Sequence, residues 1–92
     1  MNEKQEVMIG EAAKQLADNP VFAGAVDAVR RAIVTSLEQS GMGDASTHNK
    51  LTIALQLLAQ IERQIKTQIE TGKMAALQID ESLGKRLMRA VR

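Results

Sequence analysis

The sequence has no cysteine, tryptophan or tyrosine, and only one phenylalanine, one proline and one histidine in 92 residues. Without thiols there can be no disulfide framework, thiolate metal centre or cysteine nucleophile. A lone imidazole, His48, excludes a metal site built on a histidine pair. A single aromatic ring, Phe22, leaves no platform for stacking nucleobases. The glycine-lysine loop of nucleotide-hydrolysing enzymes is also missing. Gly41-Met42-Gly43 is followed by Asp44, a carboxylate where a phosphate would sit. No apolar run approaches the ~18 residues of a membrane span, and the N-terminal MNEKQEVM lacks the apolar stretch of a signal peptide. The expectation is a cytoplasmic, non-enzymatic protein with no metal and no cofactor.

What remains is ordinary globular composition, 45% hydrophobic and 25% charged with a net charge of +1, which argues for one helical domain over residues 1–92 rather than disorder. The charge is unevenly spread. Residues 1–40 are net acidic, residues 41–72 balanced, and residues 73–92 carry five cations, Lys73, Lys85, Arg86, Arg89 and Arg92, against Asp80 and Glu81. Four cations at the chain end without aromatics or a helix-turn-helix pattern amount to a solvated helix end, so specific nucleic-acid binding is not expected.

Apolar residues recur at helical spacing throughout, with no sustained strand-like alternation. The pattern predicts an all-α fold of three to four helices over residues 3–17, 20–39, 46–71 and 74–91. Met8, Ala12 and Leu16 form the first stripe, and Phe22, Val26, Val29, Ile33 and Leu37 the second. Leu51, Ala54, Leu55, Leu58, Ile61, Ile65 and Ile69 form the third, widened by Ile53 and Leu57. Asp18-Asn19-Pro20 ends one helix and starts the next, with Asn19 as cap and Pro20 in the first turn. Ser40-Gly41-Met42-Gly43 is the clearest break, its glycines free to adopt positive φ, and Asp44 or Ser46 caps the third helix. Gly72 suits the left-handed position that ends a helix. The segment beyond it, with Leu83, Leu87 and Val91 four apart, reads as a fourth helix or a continuation of the third.

A helix of about 26 residues is about 39 Å long, whereas a compact chain of this size is only about 32 Å across. The overhang predicts a helical bundle completed by homo-oligomerisation. Its expected interface is Ala28 and Ala32 from a lane of small residues, with Ile53, Leu57, Gln60 and Gln64. The last two belong to a row, Gln56, Gln60, Gln64 and Gln68, that reads as a solvated face, with hydrogen bonding across a two-fold helix pair or the lining of a polar channel as the alternative.

One constellation has the chemistry of an anion site. Ser46, Thr47, His48, Asn49 and Lys50 gather hydroxyls, backbone N–H groups and an ammonium at a helix start, and Arg30 and Arg31 can add bidentate phosphate contacts. The competing reading is a polar first turn, with Asp27 paired to the arginines. Glu62 and Lys66 stand in the favourable i, i+4 order.

Asn19-Pro20-Val21-Phe22 opening a helix, Gly43-Asp44 before a long leucine/isoleucine helix, and Ile69-Glu70-Thr71-Gly72-Lys73-Met74-Ala75 at its end resemble a family of short tailed-phage and prophage helical proteins over residues 10–76. The resemblance implies a phage protein acting in the bacterial host cell. In architecture alone the chain is similar to phage anti-immune sponges, which implies that a cyclic nucleotide or related anionic signal is sequestered at subunit interfaces. The alternatives are a virion assembly, connector or packaging component, and a regulator that binds a host protein.

Overall fold

The computed structural model describes residues 2–91, with side chains from 2 to 89. It contains three helices, α1 (Glu3–Asp18), α2 (Pro20–Gln39) and α3 (Ala45–Val91), and no strand among the described residues. The all-α expectation holds. Arg92 of the basic end, and the side chain of Val91, lie outside the described residues.

Each helix starts at a side-chain cap. Asn2 and Gln5 form a reciprocal box at α1: the Gln5 N–H donates to Asn2 Oδ1 at 2.9 Å, and the Asn2 N–H to Gln5 Oε1 at 3.2 Å. This satisfies two of the amide groups a helix start leaves unpaired. Asn19 caps α2, its Oδ1 accepting from the N–H groups of Val21 and Phe22, with Pro20 in the first turn as expected. Asp44 caps α3, accepting from the Thr47 N–H at 3.1 Å. At the other end of α2, Ser40 donates its N–H to Ser36 and its hydroxyl to the Leu37 carbonyl. The break after Ser40 is formed without positive φ at Gly41 or Gly43, so their left-handed freedom is unused.

The chain divides into two compact units. One comprises residues 17–64, the other residues 1–16 together with 65–92. In the first, α2 packs against the early part of α3. Phe22, Val26, Ile33 and Leu37 are half-buried against Leu51, Leu55 and Leu58, as their spacing predicted. The middle of this seam differs from expectation. Val29 is 49% exposed and Ile61 54% exposed; their neighbours Arg30 and Glu62 take the contact positions and form an ion pair. Spacing alone allows either residue at that turn. The opposed charges favour the second choice, and the methylene stem of Arg30 still covers apolar surface.

In the second unit α1 lies against the later part of α3, and the packing rule changes. The expected stripe of Met8, Ala12 and Leu16 is exposed, Met8 at 68%. The contact is made by Val7, Gly10 and Ala13 against Ile69, Gly72, Ala75 and Ala76. Gly10 and Gly72 meet backbone to backbone: a Cβ placed on either would lie 2.8 Å from the other's Cα. Small residues win because they let whole helix surfaces come into van der Waals range, which large side chains prevent. Gly72 therefore ends nothing. It is a helical residue inside α3, which continues through it for 47 residues, about 70 Å of helical contour at 1.5 Å per residue. The expected 46–71 and 74–91 helices are one.

Neither unit has a core of ordinary depth. Among the described residues Ala75 is the only buried hydrophobic side chain, at 1% exposure. Fifteen large hydrophobic side chains are exposed, because within each unit a helical segment has a single neighbour and only one stripe of it can be covered.

Candidate functional site

The candidate anion site begins at the start of α3. Asp44, Thr47 and His48 form a closed local network: the Asp44 N–H donates to the Gly41 carbonyl at 3.0 Å, and the His48 N–H to the Asp44 carbonyl at 3.1 Å. The Asp44 carboxylate takes the Thr47 N–H. Hydrogen bonds from the Thr47 side chain and backbone, with a smaller contribution from His48, hold the Asp44 carboxyl below its usual value. The protein's own carboxylate thus sits where the helix dipole favours negative charge, and an external anion would have to displace it or bind beside it.

The remaining residues are only partly brought together. Ser46, Asn49 and Lys50 are exposed, while Thr47 and His48 are half-buried on the side of α3 that faces α2. His48 offers its carbonyl to the Thr52 hydroxyl at 2.8 Å. Arg30 is elsewhere. Its guanidinium pairs with Glu62 and, at 3.7 Å, with Asp27, so the local pairing with Asp27 expected from the sequence is present. Glu62 is twelve residues beyond Lys50, about 18 Å along α3. The same chain therefore does not place Arg30 beside residues 46–50. Arg31 is exposed on the other side of α2. Within one chain the seven residues make no common pocket.

The six expected interface residues, Ala28, Ala32, Ile53, Leu57, Gln60 and Gln64, are all exposed. Of the glutamine row, Gln68 alone is half-buried, with its carbonyl 2.9 Å from where a Cβ on Gly10 would stand.

Two grooves lie in the unit formed by α1 and the later part of α3. The smaller, about 150 Å³, follows the glycine crossing between Glu11, Lys14 and Lys73. The larger, about 720 Å³, is an open trough between Asn2–Lys4 and Arg86, floored by Ile79 and Leu83. Sequence reasoning missed both. The signal that could have found them was the spacing of small residues, Gly10-x-x-Ala13 against Gly72-x-x-Ala75-Ala76, which specifies a close crossing and the grooves beside it.

Among the described residues no group of three or more histidine and carboxylate side chains gathers in metal-binding geometry. No helix among them is long and apolar enough to cross a membrane. No protein family, no curated protein and no solved structure matches the chain.

Proposed function

We propose that the protein is a non-enzymatic, phage-type helical protein that works as a homo-oligomer, serving as an assembly or connector component. The observation that carries this reading is the near-absence of a core. Among the described residues one buried hydrophobic side chain stands against fifteen large exposed ones. At ~25 cal/mol per Å² of apolar area removed from water, covering these side chains with further copies would be stabilising.

Sequestration of a small anionic nucleotide is the second reading. It is favoured by the exposure of Arg31, Asn49 and Lys50, and it requires the site to be built between copies, since one chain does not assemble it. Native mass spectrometry of the protein purified from a bacterial host tests both. The expected spectrum is a single oligomer, without bound nucleotide if assembly is the role. Retained nucleotide would move the assignment to sequestration, and a monomer without ligand would overturn both.

A further inference from the structure

Residues 80–89 of α3 are all exposed, and the reason lies in where α1 begins. Asn2–Lys4 line the open trough together with Ile79, Ser82, Leu83 and Arg86, so the start of α1 is level with this turn of α3. Past Arg86 the unit has no described residue of α1 left to stand opposite α3. Leu83, on the trough floor, is 50% exposed, and Leu87 and Met88 are 65% and 72% exposed. Among the described residues Lys85, Arg86 and Arg89 form no ion pair.

The placing of these residues around the helix separates two chemistries. At about 100° per residue and with Leu83 as origin, Leu87 lies at about 40° and Met88 at about 140°, whereas Lys85, Arg89 and Arg86 lie at about 200°, 240° and 300°. The apolar side chains share one arc, interrupted by nothing larger than Gly84. A cation stands about 60° beyond each edge of that arc, Lys85 next to Met88 and Arg86 next to Leu83. Lys4, which lines the same trough as Arg86, adds a fourth cation to this end of the unit. Counting charges reads the segment as a solvated helix end, because a count records how many cations there are and not which side they take.

We propose that this end of α3 binds the surface of an anionic phospholipid bilayer, with Leu83, Leu87 and Met88 in the acyl boundary and the cations at the level of the phosphates. The proposal goes beyond the assembly reading and does not depend on it. A helix lying at a bilayer surface needs an apolar arc with long cationic side chains at its margins, whose stems run along the apolar side while their charges reach the headgroups. Cations so placed are drawn to anionic lipid. The acidic groove of a protein partner is the poorer fit, because a helix in a groove is held by apolar anchors at i, i+3 or i+4, and i+7. Here Asp80 falls at about 60°, inside the apolar arc, and Glu81 at about 160°, at its edge. The arc therefore runs only from Leu83 to Met88, less than two turns, and a planar surface requires no matching length. The same two carboxylates set the orientation, since like charge holds their turn off an anionic surface while the turns after it make contact.

The test is sedimentation with vesicles of phosphatidylcholine, alone or with an equal part of phosphatidylglycerol, and it uses substitutions at exposed positions with helicity checked by circular dichroism. Wild type is expected to sediment with the anionic vesicles only. Arg89→Gln should lower its partition coefficient about fivefold and Leu87→Gln about tenfold, whereas Arg31→Gln, which removes an exposed cation from the other unit, should lower it by less than about twofold. The chain has no tryptophan, so Met88→Trp supplies a single fluorophore, whose emission should shift to the blue with anionic vesicles and stay unshifted with poly-L-glutamate. No sedimentation of wild type, or equal sedimentation with neutral vesicles, would overturn the proposal. Leu87→Gln binding as wild type does would leave charge alone as the cause and overturn the apolar contact. Arg31→Gln losing as much as Arg89→Gln would overturn the placing of the surface on α3, and a blue shift with poly-L-glutamate would overturn the lipid in favour of an acidic macromolecule.

Discussion

Replacing each of four helical glycines with alanine separates two opposed effects that the structure assigns to different positions. In a helix interior alanine is favoured over glycine by about 0.8–1.0 kcal/mol. Gly24 and Gly84 have nothing within 4 Å of an added Cβ, so Gly24→Ala and Gly84→Ala should gain that amount. At Gly10 the added carbon would lie 2.8 Å from Gly72 Cα and 2.9 Å from the Gln68 carbonyl oxygen; at Gly72 it would lie 2.8 Å from Gly10 Cα and 3.0 Å from the Glu6 carbonyl oxygen. Optimal carbon contacts are about 3.5–4.0 Å, so the helices must separate by most of an ångström. The opposing atoms are backbone and no rotamer change relieves them. Overpacking costs about 1–3 kcal/mol, and separation also loosens Ala75, a hydrophobic side chain buried to 1% exposure. The upper part of that range applies, leaving a net loss of about 1–2 kcal/mol after the helix-propensity gain. For a domain of this size 1 kcal/mol moves Tm by about 4–8 °C. Thermal melts by circular dichroism should therefore rise for Gly24→Ala and Gly84→Ala and fall for Gly10→Ala and Gly72→Ala. The double variant Gly10→Ala/Gly72→Ala should lose less than the sum, since one separation accommodates both methyl groups. A Gly10→Ala protein stabilised as much as Gly24→Ala would refute the close crossing.

Two other perturbations probe the seam and a cap. The Arg30–Glu62 pair is more than one-third exposed on both sides, so solvent screening limits it to about 0.5–1 kcal/mol; a double-mutant cycle of Arg30→Ala and Glu62→Ala in urea unfolding, which cancels the packing lost with the Arg30 stem, should return a coupling no larger than that, whereas a coupling above ~3 kcal/mol would show a desolvated pair. The Asp44 carboxyl is held below its ordinary value, so its contribution is present above the unfolded value and disappears as pH falls through the lower folded one. Stability followed from pH 7 down to pH 2 should show no Asp44 contribution to the slope above about pH 5, and only below that should the wild-type curve fall relative to the Asp44→Asn curve, giving up the advantage it holds near neutrality; parallel curves across the acid range would remove the cap from the account.

The helix boundaries were legible because their causes are local. Asn19 and Pro20 act within one turn, and Asp44 needs only the Thr47 amide. The contact surfaces were less legible, because a periodic stripe records only which residues are apolar. It does not record what faces them. Val29 and Arg30 are equally placed by spacing, and Glu62 on another helix decides between them. Gly72 read as a stop signal because glycine's freedom is visible in a sequence, whereas its use as a missing side chain is visible only when Gly10 stands opposite. Within one chain the residues of the candidate anion site stay apart for the same reason. Its residue types were right for phosphate, but Arg30 is committed to carboxylates about 18 Å along the helix.

The pairing of Gly10 with Gly72 also sets an order of events. The α2–α3 contact begins across a five-residue connection, and its ion pair joins residues 32 positions apart. The glycine crossing joins residues roughly twice as far apart, and each doubling of a loop adds only about 0.6 kcal/mol to the cost of closing it. That difference is small at equilibrium but has a direction during synthesis. The α2–α3 unit has all its residues once Gln64 has been made, while α1, which is made before α2, has no docking partner until Gly72 and Ala75 have been added. Between the two events Val7, Gly10 and Ala13 are without their partners on α3, so of the three helices the one made earliest is the last to find its place.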